Sequence, residues 1–271
     1  MSVPTGKRES TRSTIINAAA ELLREHGPAG VTTRRVAEKA GVQAPAIYRL
    51  FGDKEGLLEA VAEHVMTAYA SSKAATVQAA SADDVDPLED LYSGWRSQIE
   101  FGVTNPAIFR LLSDPTRVAR SPGAQLGKRV LEDRVRRVAA AGRLRVSEPR
   151  AVAMIQAAGI GTIQTILATP TEQRDSQLPQ AMWNAVLAQI LTDQPGSLDG
   201  GPMPAAVTFR AIAPQLTMLS DAERQLLDDW LARVIAALDR LPSAHINDPA
   251  TGAADESRPT AAPQRPSRGS A

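Results

Sequence analysis

The stretch GVTTRRVAEKAGVQAPAIYRLFGDKEGL, residues 30–57, contains the signals of two short helices separated by a tight turn. Thr32 or Thr33 can cap the first helix by accepting a backbone N–H, and Gly41 can end it. A second helix follows over residues 43–51, with Pro45 in its first turn, where backbone donors are unpaired anyway. This pattern predicts a helix-turn-helix, the arrangement that places one helix in the major groove of DNA.

The rest of the chain is predicted to be helical as well. Aromatic residues make up only 4%, and apolar residues seldom alternate with polar ones as they do in strands. We expect an all-α protein with a three-helix domain over residues 1–56, a second helical domain over 57–241 and a disordered tail over 242–271. The other predicted segments are helices over about 9–26, 54–73, 87–103, 106–113, 124–141, 147–168, 178–192, 205–219 and 221–241, a loop over 74–86 and a linker over 193–204.

The charge of the chain is balanced, with 30 basic and 30 acidic side chains, which taken alone argues against a nucleic-acid binder. The two predicted domains differ in sign, however. Residues 1–56 hold nine Lys plus Arg against six Asp plus Glu, whereas residues 57–271 hold 21 against 24. The zero is therefore a sum over a basic and an acidic part.

The composition excludes several kinds of site. The chain has no cysteine, so it has no disulfide, no thiolate zinc site and no cysteine nucleophile. Its three histidines are far apart in sequence, and we expect no metal site and no cofactor. Residues 151–171 carry no charge over about the length that spans a bilayer, but their polar residues and glycines lower the hydropathy. We expect a cytoplasmic protein without a membrane span.

Three spaced elements carry a resemblance to a known family. They are T-T-x-x-V-A-x-x-A-G-V at residues 32–42, A-I-Y-R-L-F at 46–51 and D-K-E-G-L at 53–57. In these motifs the chain resembles the TetR family of bacterial transcriptional regulators. The resemblance implies a homodimeric repressor that binds an inverted-repeat operator in double-stranded DNA, with residues 43–51 in the major groove. It also implies that residues 57–241 bind a small-molecule effector and form the dimer.

The resemblance assigns DNA contacts to particular residues. Thr33, Tyr48 and Lys54 are expected to contact phosphates, which positions a protein without reading sequence. Base readout then falls to four residues of the second short helix, because Gln suits adenine, Arg suits guanine and small apolar groups meet the thymine methyl: Gln43, Ala44, Pro45 and Arg49. Relatives often carry Ser where Gln43 stands and Gly where Pro45 stands, so the bases read are left open.

A stripe of small residues suggests where the dimer forms. Ala153, Ala157, Gly161 and Thr165 recur every four residues, which lets another helix approach closely. The family resemblance implies a four-helix bundle across the dimer axis at this place. We expect residues 147–168 and 178–192 to form it, with Trp183 and Leu187 as anchors.

The effector pocket is expected among the helices that follow the DNA-binding unit. The predicted lining residues, each of which could equally be ordinary core, are Tyr92, Trp95, Ile99, Phe109, Leu112, Met154 and Ile155. Few charges point into such a pocket by helical spacing, which favours a largely apolar or aromatic effector. Two other readings remain open: a constitutive DNA-binding regulator without a ligand, and an enzyme on a helical bundle. No nucleophile motif supports the enzyme, and no catalytic residue is predicted.

Overall fold

The computed structural model describes residues 5–82, 85–192 and 201–240. Within these ranges the chain is helical apart from turns and an isolated bridge between Leu144 and Leu191, which confirms the all-α prediction. Twelve helices are described: α1 (Thr5–Gly30), α2 (Thr33–Ala40), α3 (Ala44–Phe51), α4 (Lys54–Ala82), α5 (Pro87–Thr104), α6 (Pro106–Leu111), α7 (Pro115–Arg120), α8 (Pro122–Ala140), α9 (Glu148–Ala168), α10 (Leu178–Ile190), α11 (Pro202–Ile212) and α12 (Asp221–Leu238). The predicted tail over 242–271 and most of the linker over 193–204 lie outside the described residues.

Several boundaries differ from the sequence prediction. Helix α4 continues to Ala82, so the loop predicted from residue 74 is wrong over residues 74–82. The reason is burial, because Val77 and Ala80 of this segment face the protein interior. Helix α7 was not predicted, and α11 begins at Pro202, inside the predicted linker. Helix α11 also ends at Ile212, well before residue 219, and a 3₁₀ turn that contains Pro214 follows, since proline cannot continue a helical hydrogen-bond pattern.

The helix-turn-helix rests on an apolar cluster formed by α1 to α4, with a contribution from α6. We call it the N-terminal cluster: Ile15, Ile16, Ala19, Leu22, Leu23, Val31, Val36, Ala37, Ile47, Leu57, Val61, Ala62 and Ile108. The cluster takes side chains from both sides of residue 56. The boundary between residues 56 and 57 stays a prediction.

A second cluster fills the helical body. This C-terminal cluster joins side chains of α5, α8, α9, α10, α11 and α12 and includes Leu91, Trp95, Val138, Ile155 and Trp183. Asp90 and Arg134 are buried beside it. Helix α4 packs along α8, so the helix that closes the N-terminal cluster also forms a wall of the body.

Helix α9 is the uncharged segment noted in the sequence. By length and composition alone it could cross a membrane, with a mean hydropathy of 1.5 over its most apolar window, of which 39% is buried. In the fold, one face of α9 packs against α5, α8 and α10 through residues such as Ile155 and Ile163. Its apolar character is thus used in part for the core of the helical body.

Candidate nucleic-acid interface and ligand cavity

The turn between α2 and α3 is built by local hydrogen bonds. Thr32 caps α2, since its Oγ1 accepts a hydrogen bond from the backbone N–H of Arg35 at 3.3 Å. Gly41 ends the helix with φ of 64°, a conformation that favours glycine. The next N–H, of Val42, donates to the carbonyl of Ala37 at 2.9 Å, which turns the chain into α3. Helices α2 and α3 therefore start and stop where the sequence signals predict.

The inner face of the helix-turn-helix holds it against α1 and α4. Val36 and Ile47 are fully buried in the N-terminal cluster. On the outside, Lys39 Nζ lies 3.0 Å from Glu21 Oε2 and 3.6 Å from Glu25 Oε2, which ties α2 to α1. The hydrogen bond from Lys39 lowers the pKa of Glu21 and raises that of Lys39. Apolar contacts thus hold the helix-turn-helix in place, with an exposed ion pair at its edge.

The outer face presents polar groups to solvent. Tyr48 is 54% exposed, and its hydroxyl oxygen lies 3.5 Å from Thr33 Oγ1, so the two hydroxyls can approach one phosphate together. Four other predicted DNA contacts are exposed as well: Gln43, Pro45, Arg49 and Lys54. Thr33 and Ala44 are half-buried. Lys54 opens α4, where Asp53 Oδ1 accepts the N–H of Gly56 at 2.8 Å. All seven predicted residues lie in or beside α2, α3 and the start of α4.

A cavity of about 210 Å³ lies between α4, α5, α8 and α9, with α6 and α7 at its edge. Two predicted pocket residues, Phe109 and Leu112, line it. The lining also includes Met66, Tyr69, Ala70, Lys73, Leu91, Gly94, Gln98, Phe101, Gly102, Val118, Ala124, Gly127, Lys128, Val130, Leu131, Arg134, Gln156, Ile160 and Ile163. Its wall carries three cationic side chains, which differs from the expectation of few charges.

Five predicted pocket residues do not line this cavity. They belong to or pack against the C-terminal cluster instead: Tyr92, Trp95, Ile99, Met154 and Ile155. The indole rings of Trp95 and Trp183 lie 5.4 Å apart, and the hydroxyl of Tyr92 donates to the side chain of Gln180. These side chains are core because α10 covers them, a contact that helical spacing alone does not reveal.

Arg134 is a cavity residue that the sequence reasoning missed. It is 5% exposed, and its Nε donates to Asp90 Oδ1 at 3.2 Å. A signal was available, since Arg134 falls between Val130 and Val138 at four-residue spacing on the buried stripe of α8. A charged residue at a core position indicates either a buried ion pair or a binding site.

A larger depression of about 680 Å³ opens between α8, α9 and α11. Its charged groups are mostly paired: Arg210 Nε lies 2.9 Å from Asp228 Oδ1, and Arg136 Nε lies 3.8 Å from Glu148 Oε2. Burial raises the pKa of Glu148. Because these charges already satisfy each other, this depression is a weaker ligand site than the cavity.

The structure divides the predicted dimer residues into two groups. Ala153, Ala157, Gly161 and Thr165 are all exposed along one face of α9. Trp183, in contrast, is 3% exposed inside the C-terminal cluster, and Leu187 packs against that cluster. Trp183 therefore does not serve as an anchor between subunits, because its ring is enclosed by Tyr92 and Trp95 of the same chain.

Comparisons with known proteins agree with the helix-turn-helix. Residues 15–61 match the family described as bacterial regulatory proteins, tetR family. The class C tetracycline repressor of Escherichia coli is 50% identical over 56 residues, which are 21% of this chain and 26% of the repressor. The regulator BetI of Burkholderia thailandensis is 31% identical over 126 residues, covering 41% of this chain and 65% of BetI. Residues 15–61 of this chain therefore form a helix-turn-helix domain of the TetR type.

The TetR likeness in sequence is concentrated at the N-terminus. The chain spans about a quarter of the length of the tetracycline repressor it matches, and the family match ends at Val61, a residue of the N-terminal cluster. The fold likeness is broader. The structure of RolR in complex with resorcinol has a TM-score of 0.55 and 20% identity, and the match covers 76% of this chain and 95% of RolR. This chain therefore shares a fold with RolR over most of its length, although the two sequences differ widely.

Proposed function

We propose that the protein is a DNA-binding transcriptional repressor that acts in the cytoplasm as a homodimer on an inverted-repeat operator. The observation that carries this proposal is the exposed outer face of α2 and α3, where hydroxyl, amide and guanidinium groups lie together on a rigid apolar base. The match of residues 15–61 to the TetR family supports the same role. The excess of basic over acidic residues in residues 1–56 supplies attraction to phosphate.

The residues of this face take two kinds of role. Tyr48 and Thr33, whose hydroxyl oxygens are 3.5 Å apart, hold one phosphate, and Lys54 holds another. Gln43, Ala44, Pro45 and Arg49, in the first and second turns of α3, face the base edges. Pro45 offers only carbon atoms, so it suits a thymine methyl, whereas Arg49 suits guanine.

Selection of bound sequences from random double-stranded DNA tests the proposal. We expect an inverted repeat to be enriched. Tyr48→Phe removes one hydrogen bond to a charged group and should weaken binding about tenfold on every sequence. Lys54→Ala should also reduce the slope of affinity against salt by about one. Tyr92→Phe and Lys128→Ala, which make the same changes in the helical body, should bind normally. No enrichment, or equal losses in the controls, would exclude this DNA-binding role.

The exposed face of α9 supports the dimer. Gly161 is exposed, and a Cβ added there would meet no atom within 4 Å in the subunit. Gly161→Leu therefore leaves the subunit fold intact but inserts a large side chain where a second helix would lie. We expect a monomer by light scattering, whereas Ala237→Leu, an equally exposed change on α12, should leave a dimer. A dimer in both variants would place the interface elsewhere.

A small, largely apolar effector that releases the repressor is the finer part of the proposal. Helix α4 supports it, since Leu57 and Val61 pack in the N-terminal cluster while Met66 and Tyr69 line the cavity. A ligand that fits the cavity in only one arrangement of α4 shifts the population between DNA-competent and incompetent dimers. RolR, whose fold is similar, was solved with resorcinol, a single-ring compound. If no compound that binds the protein displaces DNA, the protein is a constitutive regulator instead.

A further inference from the structure

The buried cation of the cavity has free hydrogen-bonding capacity. Arg134 donates from Nε to Asp90, but neither of its terminal nitrogens has a hydrogen bond to the residues that the structure describes. The side chain lines the cavity and is 95% buried, because its exposed fraction is 5%. A guanidinium carries five N–H donors, so the four on the terminal nitrogens of Arg134 have no acceptor among the described residues.

The charge around Arg134 is not balanced locally. Asp90 also accepts a hydrogen bond from Arg137 Nη1 at 2.9 Å, so one carboxylate serves two guanidinium groups. Arg137 also has other partners, since its Nη2 donates to the carbonyls of Ala80 and Val85. No carboxylate is among the residues that line the cavity, whereas Lys73 and Lys128 line it. Lys128 has a partner in Glu132, 3.6 Å away, and Lys73 donates to the hydroxyl of Ser97 at 3.1 Å, so Arg134 and Lys73 are the cations of the lining without a carboxylate of their own among the described residues. Electrostatic attraction at a site that is partly shielded from solvent is stronger than in water.

Gly94 fixes the place of the free nitrogens. A Cβ at this position of α5 would lie 2.5 Å from Arg134 Nη1 and 2.9 Å from Cζ. The guanidinium thus lies directly against the backbone of α5, and no larger residue than glycine leaves room for it there. This close packing keeps the terminal nitrogens in one position and lowers the entropy cost of binding an anion.

The remaining wall suits a flat apolar group. Tyr69 stacks on Phe101 with ring centroids 4.2 Å apart, and Phe109, Leu112 and Ile163 lie around the same space. Burial raises the pKa of Tyr69 to about 12, so its hydroxyl stays a neutral donor at physiological pH. The volume of about 210 Å³ is larger than the roughly 150 Å³ that accommodates benzene and below that of a drug-sized site.

We propose that the cavity binds a small carboxylate with a single apolar ring, its carboxylate held by the terminal nitrogens of Arg134 and its ring against Tyr69 and Phe101. This inference rests on the proposed function for its regulatory meaning, since it names the chemical class of the effector. It also sharpens the expectation of a largely apolar or aromatic effector: the ring is apolar, but the group that orients it is an anion.

Calorimetry on the full chain without DNA tests the ligand class. The probes are benzoate, phenylacetate and cyclohexanecarboxylate, each compared with the matching primary alcohol. We expect at least one carboxylate to bind at least tenfold more tightly than its alcohol, since a charged hydrogen bond is stronger than a neutral one. The proposal is overturned if none of the carboxylates binds or if the alcohols bind equally well.

Substitutions then locate the anion. Arg134→Met should reduce carboxylate affinity about tenfold to a hundredfold, and Asp90 keeps Arg137 as a partner in this variant. Arg129→Met removes the same charge from an exposed position of α8 and should change nothing. Circular dichroism checks that both variants fold, and Tyr69→Phe, which removes one donor, should lower affinity by a smaller factor. Equal affinity in wild type and Arg134→Met would overturn the proposal.

The same proteins separate this inference from the proposed repressor. Carboxylate binding without any operator binding would refute the repressor and keep the ligand class. Operator binding that no bound carboxylate releases would keep the ligand site and refute its role as an effector site. Operator binding with no carboxylate binding would refute the ligand class alone.

Discussion

The two apolar clusters of the molecule are built in different ways. No buried polar or charged side chain is described in residues 9–62, which supply all but one member of the N-terminal cluster. Beside the C-terminal cluster, in contrast, lies the buried pair of Asp90 and Arg134. Burying such a pair brings little or no net stability, since removing two charges from water costs about as much as their attraction returns. The difference fits the proposal above, in which the first cluster is a base for the helix-turn-helix and the buried pair of the second serves ligand binding.

The largest loss of stability is expected when Asp90 no longer carries a charge to pair with the two arginines. Asp90→Asn leaves the buried Arg134 and the half-buried Arg137 without a carboxylate and should lower the free energy of unfolding by about 3–5 kcal/mol. Urea denaturation measures this loss. Asp133→Asn, which removes an exposed carboxylate from α8, is the matched control and should change stability by less than about 0.5 kcal/mol. Similar stability of the two variants would contradict the distinction between the clusters.

The apolar cluster should respond through lost packing. Ile47→Ala creates a space in the N-terminal cluster and should cost about 2–5 kcal/mol in urea denaturation. Tyr48→Ala, at the next and exposed position, should leave the fold nearly as stable but abolish most of the DNA affinity. If Ile47→Ala kept full stability, the helix-turn-helix would not depend on this cluster.

A smaller effect is expected at the contact between α5 and the buried arginine. Gly94→Ala places a methyl group 2.5 Å from Arg134 Nη1 and should cost about 1–3 kcal/mol, because the guanidinium is held by Asp90 and cannot move freely. The exposed neighbour Ser93→Ala should be close to neutral in the same thermal or urea experiment. Loss of carboxylate binding in Gly94→Ala with normal operator binding would sharpen the separation of the two regions.

The smallest losses of stability are expected at the N-terminal caps of α2 and α12. Thr32→Ala at α2 and Ser220→Ala at α12 should each cost about 1 kcal/mol, and Thr32→Ser should restore most of it. Only Thr32→Ala should also weaken DNA binding. Hydrogen bonds from Ser220 lower the pKa of Glu223, so the part of the α12 cap that needs this carboxylate is lost as pH falls below about 4.5. Denaturation at pH 7 and pH 3 compares the two caps.

The parts of the fold that depend on neighbouring residues in the sequence could be predicted, whereas the parts that depend on how distant helices pack could not. The cap at Thr32 and the turn at Gly41 depend on atoms within a few residues, so the sequence specifies them directly. The cavity depends on how four helices meet. Phe109 and Trp95 both have the apolar character of a lining residue, but only the packing of α10 places Trp95 in the core. Arg134 was readable as a charge on a buried stripe, whereas its free nitrogens follow from the position of Gly94 on another helix.

The length of α4 has a consequence for the proposed coupling between the cavity and the DNA-binding face. It is an uninterrupted helix of 29 residues, and Tyr69 in the cavity is about 22 Å along its axis from Lys54. If α4 pivots near the cavity by about 5°, its N-terminal end moves by about 2 Å, more than a hydrogen bond to phosphate tolerates. In mechanical terms the proposed effector would use α4 as a lever arm.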